Sequence, residues 1–167
     1  ALYNYNELCP LTLGMVIRRV SGRNMSVFAE EVLWQPMGAE ADATWTTDSE
    51  GNEFNCIGVA ARLRDWARLG RLVAQRGNSG GQQVVSEAWI HECTHWGDRD
   101  RQCRYGVAGS GFGYKAHMWH TKPDGSSLSF RGHHAQRVLV DMPTQTVLVQ
   151  TAVDHAGGWQ RELSELF

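Results

Sequence analysis

A chain of 167 residues is long enough for one compact domain, or for one and a half lobes of something larger. Its hydrophobic fraction of 42% and charged fraction of 20% are those of a folded globular protein, which excludes an intrinsically disordered chain. The formal net charge is −2, the only lysines are Lys115 and Lys122, and apolar runs such as Val138–Val140 and Val147–Val149 are short, so neither a nucleic-acid-binding surface nor a transmembrane segment is expected.

Leu11, Leu13, Val16, Ile17 and Val20 recur at helical spacing, with Arg18 and Arg19 late and Gly22 just beyond, which predicts an amphipathic helix with a glycine stop. A second helix is expected from about Ser26 through Phe28, Val32 and Leu33 to Trp34, ended by Pro36 and Gly38. The polar stretch from Ala39 to Asn55, with Asp48, Gly51 and Asn52 as turn formers, reads as a long excursion. Ala60 to Gln75 carries the clearest helical pattern. Ala60, Leu63, Ala67, Leu69 and Val73 supply its apolar side; Arg62, Arg64, Asp65 and Arg68 supply its wet one. The run Gly77-Asn78-Ser79-Gly80-Gly81 breaks that helix, and Ser86 caps a short one through Trp89 and Ile90.

After residue 104 the pattern becomes one of strands. Tyr114 to His120, Ser126 to Phe130, Arg137 to Val140 and Thr146 to Thr151 are separated by turn chemistry at Pro123-Asp124-Gly125 and Asp141-Met142-Pro143-Thr144. An antiparallel meander follows, with Trp159 to Phe167 as a closing helix. The expected class is α/β in the α+β sense, an antiparallel sheet covered by helices. The helical part is expected at about 1–100, and the sheet with its closing helix at about 101–167. The chain opens on Ala1 without a signal-peptide pattern, which predicts a longer parent. Cys9, Cys56, Cys93 and Cys103 form no C-x-x-C pair and leave the compartment open.

Three segments look like catalytic motifs. His91-Glu92-Cys93-Thr94-His95 matches H-E-x-x-H, in which two histidines share a helix face around zinc and the glutamate activates water. It lacks a third ligand: Asp98 and Arg101 stand where a metzincin needs Gly and His, and no glutamate lies between His95 and Glu162. Gly77 to Gly81 satisfies G-x-S-x-G, but a helix rather than a strand precedes the serine, so a surface turn is the better account. The glycines from Gly106 to Gly113 do not follow G-x-G-x-x-G, and no strand–glycine–helix order surrounds them.

Several segments, in order, resemble the β-lactamase-related serine hydrolases, which include class C β-lactamases, penicillin-binding-protein-like esterases and 6-aminohexanoate-dimer hydrolases. They are Leu2-Tyr3-Asn4-Tyr5-Asn6, Leu13-Gly14-Met15-Val16-Ile17 with Val20-Ser21-Gly22, Trp34 to Gly38, and Ala41 to Trp45. The resemblance continues through Ala60 to Gly70, Gly113-Tyr114 with Met118-Trp119, and Arg131 to Gln136. It implies the C-terminal portion of a β-lactamase/transpeptidase-like fold, incomplete at its N-terminus. It also implies a hydrolase that cleaves an amide or ester through an acyl-serine intermediate, with neither cofactor nor metal.

By this resemblance Tyr5 matches the catalytic tyrosine. A tyrosine ordinarily titrates near pH 10 and needs a nearby cation to act as a base. Phe130-Arg131-Gly132 sits where the family places its K-T-G-like triplet, with Arg131, Gly132 and His133 as oxyanion and substrate-binding residues. Arg131 replaces a smaller residue there, Ala135 stands where glycine is usual, and Glu7 stands where many relatives carry asparagine. Neither lysine has a serine three places before it, so the S-x-x-K pair is absent and expected in a segment N-terminal to this one, leaving this chain alone inactive. The alternatives are a zinc-dependent hydrolase using His91, Glu92 and His95, and a non-catalytic relative that binds ligand in the same cleft. The partner implied is a small-molecule or peptide-like amide or ester; the sequence leaves oligomeric state and localisation open.

Overall fold

The computed structural model describes residues 5–95, 113–122 and 124–153. The first helix, α1, spans Leu8–Ser21 and stops at Gly22, which adopts the left-handed conformation (φ 67°) and donates its N–H to the Arg18 carbonyl at 3.0 Å. Only a residue without Cβ takes this turn at no steric cost. The expected amphipathic burial is not found. Gly14 is the one buried residue of α1, while Leu13, Val16 and Val20 stay exposed. Gly14 is glycine for a reason of space: a Cβ there would lie 1.8 Å from Asn55 Nδ2.

The second helix, α2 (Met25–Ala29), runs into a π-helical turn at Glu30–Trp34, where the Gln35 N–H reaches five residues back to the Glu30 carbonyl. Buried Glu53 caps α2 from outside, accepting from the Ser26 N–H at 3.0 Å and the Ser26 hydroxyl at 2.5 Å. The stretch from Ala39 to Asn55 is not wholly irregular: β1 (Thr44–Trp45) pairs antiparallel with β2 (Val59–Ala60). Ala60 is therefore in a strand, and α3 begins three residues later, at Leu63–Ala74.

The buried side of α3 also differs from the expected one. Leu63 is half exposed, because the face presented to the sheet is centred on Trp66, Gly70, Val73 and Ala74, and Asp65 is fully buried with its carboxylate accepting the Glu40 N–H. Gly70 sets this orientation. A Cβ on it would lie 2.5 Å from Val147 Cγ1 and 2.9 Å from Val138 Cγ1, so the helix backbone lies almost directly on the sheet. Gly77-Asn78-Ser79-Gly80-Gly81 is a tight hairpin between β3 (Asn78–Ser79) and β4 (Gln82–Gln83), and the Ser79 hydroxyl donates to the Met37 carbonyl at 3.1 Å. Ser86 caps α4 (Glu87–Thr94) by accepting the Trp89 N–H.

The sheet is an antiparallel meander in chain order, β5 (Tyr114–Lys115), β6 (Met118–His120), β7 (Ser127–Gly132), β8 (Gln136–Asp141) and β9 (Thr146–Gln150). The single strand expected from Tyr114 to His120 is a hairpin whose turn residues, Ala116 (φ 49°) and His117 (φ 62°), carry no glycine signal. Alternation along paired strands puts Leu128 and Phe130 beside Val140 and Val138, and those beside Val147 and Val149. This face meets Val73, Ala74, Ile90 and Cys93 in one core. Burying each such aliphatic side chain contributes about 1.5–3 kcal/mol. The β8–β9 turn is held by Asp141, whose carboxylate accepts from Lys122 at 2.8 Å and from the Thr144 hydroxyl at 2.6 Å. Burial pushes that carboxyl up, and these hydrogen bonds together outweigh it and hold its pKa below the ordinary value. The expected helix from Trp159 to Phe167 lies outside the described residues.

Candidate active site

The ends of β7, β8 and β9 that lie away from the β8–β9 turn open onto a cleft of about 980 Å³. One part of its wall is Arg131, Gly132 and His133; another is the segment from Cys56 to Ala61; a third is Tyr5, just ahead of α1. Tyr5 and Gly132 thus line the same cavity, although they lie 127 positions apart in the chain. An adjoining cavity of about 340 Å³ shares Tyr5, Cys56, Trp119 and Arg131 and reaches along α1 to Ile17.

Local chemistry fixes Tyr5. The Asn6 side chain accepts the Cys9 N–H at 3.1 Å, which starts α1 immediately after the tyrosine. The Tyr5 ring packs against Tyr114 (centroids 5.6 Å apart) in the edge geometry that aromatic quadrupoles favour, and against Trp119 (5.5 Å) at a tilt. The residue is half exposed and lines the cleft. Trp119 also carries the Arg131 guanidinium over its ring at 5.2 Å. An aromatic stack therefore bridges the tyrosine and the β7 edge.

Gly132 is in extended backbone, so its φ does not demand glycine. Space does: a Cβ there would lie 2.9 Å from Gln136 Cβ. The chain then turns sharply through a short 3-10 segment, His133–Ala135, in which His134 (φ 56°) and Ala135 (φ 75°) are consecutive left-handed residues. Two non-glycine residues in this conformation cost together about 2–4 kcal/mol. Backbone strain of this kind is retained where the surrounding structure over-determines it, as at ligand sites. Arg137 lies directly across from Arg131 and lines the cleft as well. Burial, then the charge of Arg131, lowers its pKa to about 10, which still leaves it protonated at neutral pH.

Of the residues anticipated from sequence, Tyr5, Arg131, Gly132 and His133 are brought to one cleft. Cys56, Trp119 and Arg137 join them unanticipated. Arg137 was legible in principle, since a tight β7–β8 connection puts position 137 opposite 131. The zinc-type motif is elsewhere. His91 is in α4, but His95 leaves the helix with extended backbone, and the two rings stack at 3.7 Å. Glu92 pairs with Lys115 at 2.9 Å, and His95 Nδ1 lies 3.0 Å from the His91 carbonyl. Among the described residues no three His, Cys, Asp or Glu side chains converge as a metal site requires. No helix among them is long and apolar enough to cross a membrane.

No protein-family model matches the sequence. The chain is 31% identical over 141 residues to the 6-aminohexanoate-dimer hydrolase of Paenarthrobacter ureafaciens, covering 83% of this chain and 36% of that protein. Among solved structures it resembles a candidate 6-aminohexanoate-dimer hydrolase from Bacillus anthracis (TM-score 0.87, 21% identity), which it covers to 42% with 99% of its own length. A candidate β-lactamase from Bacteroides dorei is similar at TM-score 0.70 and 13% identity, covering 91% of this chain and 51% of that one. A penicillin-binding protein homologue from Caulobacter crescentus follows at 0.69 and 15%, covering 92% and 53%. The chain thus spans well under two thirds of the proteins it matches.

Proposed function

This chain belongs to the β-lactamase-related serine hydrolase family, and on that premise we propose that it builds two walls of an acyl-transfer cleft. The reaction is hydrolysis of a small-molecule or peptide-like amide or ester through an acyl-serine intermediate. The nucleophilic serine and its lysine come from an S-x-x-K segment N-terminal to Tyr5, within one β-lactamase-like domain of which residues 1–167 are the C-terminal portion.

The observation that carries this reading is that Tyr5 and Gly132–His133 line one cavity. Acyl transfer needs a group that takes the serine proton and returns it to the leaving group, and Tyr5, with the lysine cation beside it, fills that role. It also needs N–H donors aimed at the oxygen on which charge develops; the His133 N–H supplies one, at the end of a strand whose glycine keeps that wall free of a side chain. Arg131 and the Trp119 ring beneath it shape the substrate side. The exposed Leu13, Val16 and Val20 of α1 support a further segment of the domain packing there, since apolar side chains grouped on one helix side commonly mark a covered surface.

The test is titration with a fluorophosphonate, which forms a covalent bond to an activated serine. The 167-residue chain should remain unlabelled, whereas the longer polypeptide bearing S-x-x-K should take up one equivalent, lost when that serine is changed to alanine. Stoichiometric labelling of the 167-residue chain would refute the assignment of the nucleophile.

A further inference from the structure

We propose that Gln136 and Gln150 are positioning residues, a two-point clamp that holds the His133–Ala135 turn and so aims the His133 N–H into the cleft. This rests on the hydrolase reading above and adds to it the means by which a strained turn is kept in place.

The turn cannot hold itself. Its two left-handed residues, His134 and Ala135, lack glycine's tolerance of that conformation, so outside contacts must favour it. The structure supplies them from the last residues of β9 and just beyond. The Gln150 side-chain amide donates to the Ala135 carbonyl at 3.1 Å, on a left-handed residue itself. The Gln136 side chain makes a paired contact with the backbone of Ala152: its amide N–H donates to the Ala152 carbonyl, and its oxygen accepts the Ala152 N–H at 3.3 Å. Its Cβ and Cγ meanwhile lie where a side chain on residue 132 would have to go. One glutamine thus ties the strand exit to the turn and keeps position 132 small; the other pins the turn's carbonyl. Both lie on the cleft wall. Each primary amide carries a donor and an acceptor on one rigid plane, which suits bridging two backbone segments.

Gln150→Leu keeps bulk and removes the donor, whereas Gln150→Lys restores a donor. Amide hydrogen exchange at His133–Gln136, followed in the 167-residue chain, should quicken about tenfold or more in Gln150→Leu and return most of the way in Gln150→Lys. Exchange at Leu128 and Val138 should stay unchanged, which shows that the sheet persists. Gln136→Met provides a second, independent loss of the clamp should Gln150→Leu fail to fold. In the longer polypeptide, kcat for p-nitrophenyl butyrate should fall about tenfold in Gln150→Leu at unchanged KM, with recovery in Gln150→Lys, because a displaced donor affects charge that develops only in the transition state. Unchanged exchange at the turn in the folded variants overturns the clamp, and loosened exchange with unaltered kcat overturns its catalytic purpose. If the unaltered longer polypeptide hydrolyses nothing, the hydrolase reading and that purpose fail together, while the exchange result still decides the clamp.

Discussion

Tyr5→Phe in the longer polypeptide is expected to lower kcat by about 10²–10⁴-fold, the usual contribution of a positioned proton-transfer group, with little change in KM. Phenylalanine keeps the ring and therefore the packing against Tyr114 and Trp119. What disappears is the hydroxyl alone, on a residue half exposed to the cleft. The midpoint of thermal unfolding should accordingly stay put, since surface changes without lost packing shift stability by about 0.5 kcal/mol or less. Steady-state kinetics with an activated ester, paired with a melting curve, separates the two effects. A kcat within about threefold of the unaltered enzyme would leave Tyr5 as an aromatic wall and remove it from the proton path.

Asp65→Ala is expected to destabilise the fold by about 3 kcal/mol, the upper end of what a hydrogen bond to a charged group contributes. Asp65 is fully buried at the start of α3, where its carboxylate accepts the Glu40 N–H at 2.9 Å and pairs with Arg68 at 3.1 Å. Arg68 in turn reaches the Glu40 carboxylate. The three groups tie the connection after α2 to the helix that lies on the sheet. Alanine would leave the Glu40 N–H without its acceptor, although Arg68 keeps its contact with Glu40, which limits the loss. For a protein of this size the melting temperature should fall by about 6–12 °C. Asp65→Asn, which retains an acceptor for the Glu40 N–H, should lose less than half as much. Equal losses in the two variants would mean that the charge, not the backbone hydrogen bond, carries the stabilisation.

Tyr5 and Asp65 differ in how far the sequence alone reveals them. Helix ends were legible where one residue decides them, as at Gly22, because a left-handed stop is a local matter. The outward face of α3 was not. Periodicity marks two sides, but the choice between them depended on how closely the helix could approach β8 and β9, which Gly70 permits. Asp65 read as a solvated charge only because Glu40, whose N–H donates to it from 25 positions away, was invisible to a local pattern. Likewise the Tyr114–His120 segment read as a single strand, since Ala116 and His117 take the turn without a glycine or asparagine to announce it. Tyr5, Arg131, Gly132 and His133 were legible through motif resemblance. Trp119 and Arg137 joined the cleft through strand register, which is settled only when the meander pairs.

The most direct measurement is a structure of the longer polypeptide carrying a covalent phosphonate on its S-x-x-K serine. Its anionic oxygen should lie about 2.7–3.1 Å from the His133 N–H, with the Tyr5 hydroxyl within hydrogen-bond reach of the serine Oγ. A phosphonate seated on another face, with Tyr5 and Gly132 both remote from it, would contradict the account.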